Sequence, residues 1–162
     1  MPDAPAGAAA PGRSAPLLAL GFDYGLRRIG VAAGDTLTNG ARPLGTIAAA
    51  AGVPDWTAAE RYVREWGPQV LVVGVPYNMD GTPGPLTQAA QGFAAELGRR
   101  FRLEVATVDE RLSSREAEDL LRQQRASGAR ARRVRHGDVD AAAACVLVEQ
   151  WLRGRAHGPR RE

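Results

Sequence analysis

Asp23 closes the apolar run Leu17-Leu18-Ala19-Leu20-Gly21-Phe22, and a second apolar run, Ile29 to Ala33, follows after Leu26-Arg27-Arg28. An acid at the tip of a buried strand is costly unless a cation, a hydrogen-bonding turn or a metal ion compensates it. Val108-Asp109-Glu110-Arg111 and Gly137-Asp138-Val139-Asp140 also put acids at the ends of apolar elements. Carboxylates gathered from three such tips would suit a hard divalent cation, since magnesium and manganese take oxygen ligands.

The individual acids separate by spacing. On a helix, residues two apart point to nearly opposite sides. Asp140 therefore shares a face with Ala143, Ala144, Leu147 and Trp151 and heads the core-packing stripe, although the helix dipole alone could also explain an acid there. Asp138 lines up with Ala142, Cys145 and Glu149, and after Gly137 it suits helix capping. Asp109 and Glu110 are neighbours at a strand end and face opposite ways. Pairing one of them with Arg27, Arg111 or Arg115 is the structural alternative. Asp35 and Asp80 read as turn residues. Asn78 fits either its own loop or a substrate phosphate. His136 and His157 lie in basic stretches and make no zinc or acid–base constellation.

These residues must be carried by an α/β framework. Strands are predicted near 17–23, 28–34 and 42–48, with links too short for crossover helices, so the three form an antiparallel meander. Residues 56–66 carry a helical stripe of Trp56, Ala59, Val63 and Trp66, stopped by Gly67-Pro68. The continuous apolar run 70–75 marks a strand covered on both faces. A turn-rich loop at 76–84, a helix over 85–101 and a strand at 103–108 come next. Ser113 and Glu116 form a capping box for another helix. A basic loop spans about 125–137, and a final helix runs from about Asp138 to Trp151. The domain expectation is a disordered leader at 1–15, one folded unit at 16–152 and a basic flexible tail at 153–162.

Composition bounds the function class. The chain has 162 residues, room for one domain with a sizeable core. Its apolar runs fall short of the roughly 18 residues needed for a membrane span. With one cysteine, Cys145, there is no internal disulfide and no cysteine zinc cluster. These features predict a cytoplasmic protein with no membrane partner. Net charge is +3 and pI about 9.7. All 21 basic residues are arginine, which suits bidentate phosphate contacts but equally fits GC-rich coding. Arg130, Arg132, Arg133 and Arg135 cluster just before Asp138, a plausible nucleic-acid footprint.

Phe22-Asp23-Tyr24-Gly25 with Arg28-Ile29-Gly30-Val31-Ala32 resembles the opening motif of the YqgF/RuvX family. The later motifs are matched by Ala41-Arg42-Pro43-Leu44, by Gly74-Val75-Pro76-Tyr77-Asn78-Met79-Asp80-Gly81, by Asp109-Glu110-Arg111-Leu112-Ser113-Ser114 and by Asp138-Val139-Asp140-Ala141-Ala142-Ala143-Ala144. The resemblance covers roughly 17–152 and implies an RNase H-like fold, a mixed five-stranded sheet flanked by helices. It also implies a metal-dependent nuclease that matures the 5′ end of pre-16S rRNA, with a Holliday junction resolvase as the alternative.

The family's acidic triad maps onto Asp23, Glu110 and Asp140 as catalytic and metal-binding residues for Mg2+ or Mn2+. Two such ions about 4 Å apart would activate water and stabilise the leaving oxygen. Without metal the acids should repel one another, raising at least one pKa. Substrate contacts are expected from Arg27, Arg28, Asn78 and Arg111, and from Arg130, Arg132, Arg133 and Arg135. The expected partners are nucleic acid, RNA before branched DNA, and pre-ribosomal particles, with the chain a monomer or weak dimer. Relatives often carry Lys at position 138; Asp here leaves open a part in holding metal. Two competing classes are an actin-like ATPase, for which a second phosphate loop is lacking, and a non-catalytic RNA-binding module with purely structural acids.

Overall fold

The computed structural model describes residues 15–110 and 136–157. In chain order the elements are β1 (Leu18–Asp23), β2 (Arg28–Asp35), β3 (Gly40–Ala50), β4 (Val53–Pro54), α1 (Trp56–Trp66), β5 (Val70–Val75), α2 (Thr87–Phe101), β6 (Glu104–Asp109) and α3 (His136–His157). The strands form one mixed sheet of six in the order β4-β3-β2-β1-β5-β6. β1, β2 and β3 make the antiparallel meander that their short links require. β5 joins β1 in parallel after α1, and β6 joins β5 in parallel after α2.

Three differences from the sequence expectation have local causes. The sixth strand, β4, folds back on β3 through Ala51 and Gly52, both with positive φ (51° and 86°). Such a two-residue turn favours Asn-Gly or Gly-Gly, so Ala-Gly gives little signal. The last helix is described from His136, ahead of Asp138, so Asp138 lies within the helix. It also runs to His157, beyond Trp151 and into the segment expected to be a flexible tail. Leu152 is buried there, and the Arg155 guanidinium lies over the Trp151 ring at 5.2 Å, both favouring continued helix. The leader over 1–14, the Ser113 capping box and the basic stretch up to 135 lie outside the described residues.

Alternation along the strands sends side chains to two different layers. Leu20, Phe22, Ile29, Val31, Leu71, Val73 and Val75 face α1 and α2 and pack with Ala59, Phe93 and Leu97. Phe93 lies against Phe22, Tyr24 and Trp56, with ring centroids 5.1–5.8 Å apart. Asp55 caps α1 by accepting from the Ala58 N–H at 3.2 Å. Gly67, in the left-handed region at φ 58°, ends it. The opposite face carries Ala19, Gly21, Gly30, Ala32, Gly34 and Gly74, with Val70 and Val72 on β5, and among the described residues it is covered by α3. A Cβ at Gly21 would lie 2.3 Å from Val148 Cγ2, and one at Gly74 would lie 2.7 Å from Leu147 Cδ1. The missing side chains let α3 settle close to the sheet.

Candidate active site

Asp23 ends β1, the central strand. It stands opposite Gly30 in the antiparallel ladder, while Phe22 beside it pairs with Val73 of β5. The β1–β2 ladder holds its backbone, and the β1–β5 ladder holds the residue before it. Alternation from Gly21, which touches α3, directs Asp23 to the α3 face, where it is half-buried.

Glu110 follows the last residue of β6. Asp109 pairs with Val75, whose side chain belongs to the α1/α2 layer, so Glu110 turns to the α3 face. Its Oε2 lies 3.1 Å from where a Cβ on Gly74 would sit. The Leu147 methyls, at 2.7 and 2.8 Å, and the Glu110 carboxylate share the space that glycine leaves empty. Burial pushes the Glu110 carboxyl up to about 7 from its ordinary 4.5. A raised acid was expected from repulsion among the three carboxylates; the cause is desolvation instead, since burial disfavours the charged form.

Asp140 reaches the same end of the sheet from α3. A Cβ at Gly30 would lie only 2.0 Å from the Asp140 carbonyl oxygen and 2.3 Å from its carbonyl carbon. The helix backbone therefore rests directly on the strand beside Asp23. The Asp140 carboxylate is engaged: the Arg28 Nε–H donates to its Oδ2 at 2.8 Å. Arg28 shares the Gly30 face of β2, which explains the reach. Spacing alone gave this pairing no signal, because 112 residues separate the partners.

The glycines were the signal that sequence reasoning passed over. Gly30 and Gly74 interrupt apolar strands, Ile29-Gly30-Val31 and Val73-Gly74-Val75, and glycine inside a strand marks close approach of another backbone or ligand. Among the other expected contacts, Arg27 is exposed in the β1–β2 turn. Asn78 spends its amide on its own loop, donating to Thr82 Oγ1 at 2.9 Å and to the Pro83 carbonyl at 3.2 Å. That makes Asn78 a loop staple. Asp35 and Asp80 are turn residues as expected, accepting from the hydroxyl and backbone N–H of Thr38 and Thr82 respectively. Arg111, Arg130, Arg132, Arg133 and Arg135 lie outside the described residues. Beside the site, Val75, Tyr77, Gly81, Thr107, Val108 and Asp109 line a cavity of about 450 Å³.

Whether these residues suit a cation has two answers. The donors, oxygen atoms of Asp23, Glu110 and Asp140, are of the kind a hard divalent ion requires. Their placement is open: among the described residues, no group of three or more His, Cys, Asp or Glu side chains is close enough to hold a metal ion. The backbones converge, while Asp140 is turned to an arginine.

A family model described as "RuvX: Holliday junction resolvase" matches residues 18–154. A relative from Azotobacter vinelandii, carrying the name "Putative pre-16S rRNA nuclease", is 49% identical over 146 residues, covering 90% of this chain and 99% of the relative. One of the same name from Legionella pneumophila (strain Paris) is 47% identical over 133 residues, covering 82% and 93%. Among solved structures, Thermus thermophilus RuvC in complex with a Holliday junction substrate is similar with a TM-score of 0.54 at 14% identity, covering 88% of this chain and 97% of that one. The yeast mitochondrial Holliday junction resolvase gives 0.53 at 10%, covering 85% and 78%. At such identities the likeness speaks for the fold, a RuvC-like RNase H fold.

Proposed function

The chain belongs to the RuvX family, and from that premise we propose that it is a nuclease hydrolysing phosphodiester bonds in RNA, with the 5′ end of pre-16S rRNA as substrate. The observation that carries the reading is the arrival of Asp23, Glu110 and Asp140 at one end of the sheet, around the bare positions Gly30 and Gly74. The relatives' shared name supports the substrate.

Mg2+ or Mn2+ held by Asp23, Glu110 and Asp140 would supply a Lewis acid and a water acidic enough to attack near neutral pH. The chain's own part is positioning. Asp23 is the rigid member, held in the β1–β2 ladder one residue beyond the β1–β5 ladder. Glu110, with a pKa near 7, can hold a proton at neutral pH and give it up as a positive charge approaches. Exposed Arg27 can meet the phosphate backbone, and the cavity at Tyr77 and Thr107 gives an adjoining nucleotide room. No helix among the described residues is long and apolar enough to cross a membrane. A cytoplasmic monomer or weak dimer acting on pre-ribosomal RNA suits this reading.

The test is cleavage of a pre-16S leader transcript beside a four-way DNA junction, each with Mg2+ or Mn2+, using Asp23→Asn as control. Leader cleavage should fall by about two orders of magnitude or more in the variant, the scale on which removing one electrostatic contributor acts. Its melting temperature should not fall. Symmetric nicking of the junction without RNA cleavage would transfer the assignment to the resolvase reading, the activity that the family model's description names.

A further inference from the structure

The Arg28–Asp140 ion pair occupies one of the three carboxylates that the proposed cation would need. The side chains are 40% and 25% exposed, so both partners can exchange with solvent. Their backbones cannot move to match. Arg28 lies in the β2–β3 ladder opposite Ala48, and the Asp140 backbone is seated on Gly30. Freedom at this corner is therefore confined to the two side chains. A guanidinium and a divalent ion seek the same carboxylate oxygens and repel each other, so they cannot both be served well.

We propose that Arg28 is a positioning residue that competes with the divalent cation for Asp140, holding this carboxylate while the site is empty and yielding it when the ion binds. The inference rests on the nuclease reading of the site. It explains why the three acids reach one sheet end without closing a cage among the described residues. It also gives Arg28 a role distinct from Arg27. Both carry the same charge at the same turn, but Asp140 pairs with Arg28.

Isothermal titration calorimetry of the full chain with MnCl2 separates the alternatives, run on wild type, Arg28→Gln, Arg28→Lys and Arg27→Gln, with melting temperature as a check on folding. Arg28→Gln should bind Mn2+ about two- to fivefold more tightly, the fold-change expected from removing one partly exposed ion pair. Arg28→Lys, which keeps the charge without the fork geometry, should fall between the two. Arg27→Gln should change the affinity much less. Equal affinity in wild type and Arg28→Gln, or an equal gain in Arg27→Gln, overturns the competition and leaves the nuclease site standing. No measurable Mn2+ binding in any of the four proteins overturns both.

Discussion

One face of the sheet is filled by large side chains under α1 and α2; the other, under α3, is stripped to glycine and alanine along β1 and β2 and keeps Val70 and Val72 on β5. The filled face buries Leu20, Phe22, Ile29, Val31 and Leu71 against Phe93 and Leu97. Each contributes transfer free energy and close-packed contacts. The bare face gives up much of that burial. In return, the α3 backbone comes within touching distance of β2, and the Glu110 carboxylate lies over Gly74. Stability is concentrated on one side of the sheet and positional precision on the other. If so, damage to the two faces should have different signatures.

The largest stability effect is expected on the filled face. Phe93 touches Phe22, Tyr24 and Trp56 and is 5% exposed. Phe93→Ala should cost about 3–5 kcal/mol in urea unfolding, the usual range for emptying an aromatic core site. Phe93→Leu should cost less and keep the chain folded if the alanine variant does not. For either variant that remains folded at the assay temperature, leader cleavage should be close to wild type. A fall in kcat beyond the unfolded fraction would mean the faces are not separable.

How much of this was legible in the sequence follows from the range of each signal. α1 was legible to the residue because its stripe, its stop at Gly67 and its span are all local. The meander was legible because short links leave no other connection. The convergence of Asp23, Glu110 and Asp140 on one sheet end came from family resemblance and strand-end position. Neither could report the Arg28–Asp140 pair, which depends on how closely α3 approaches β2. That approach is set by absent side chains, and period-matching looks for side chains that are present. Asn78 shows the converse limit: a loop polar residue beside a site looks the same in sequence whether it binds substrate or its own loop.

A pH experiment sharpens the contrast from the bare side. The Glu110 carboxyl is held up near 7 by burial, against 4.5 in its ordinary state. A raised pKa means the folded chain binds the proton more tightly. This contribution to stability is full below about pH 4.5 and is lost as pH rises through 7. Without divalent ions, Glu110 should make the protein less stable at pH 8 than at pH 5, by no more than about 3 kcal/mol. Glu110→Gln should remove that part of the pH dependence, measured by urea midpoints at both values. An unchanged profile in the variant would show that desolvation at Gly74 does not govern this acid. No counterpart is expected on the filled face, where Phe93→Ala should shift the whole profile without changing its slope.

Gly30→Ala gives the smallest stability effect and the most direct test of the bare face. A Cβ there would lie 2.0 Å from the Asp140 carbonyl oxygen, and the obstacle is backbone, not the end of a flexible side chain. The start of α3 must lift, at an expected cost of about 1–3 kcal/mol, the range for overpacking a fitted core. The strand has no conformational objection to alanine, since Gly30 is not among the residues with positive φ. Lifting α3 moves the Asp140 carboxylate away from Asp23 while leaving the packing of Phe22 and Val31 on the far side in place. Cleavage should therefore fall well beyond what the lost stability explains, and Mn2+ affinity should fall with it. Phe93→Ala should do the reverse, losing more stability and little chemistry. Should Gly30→Ala retain both full cleavage and wild-type Mn2+ affinity, close approach of α3 would be a packing detail and not the device that positions the site.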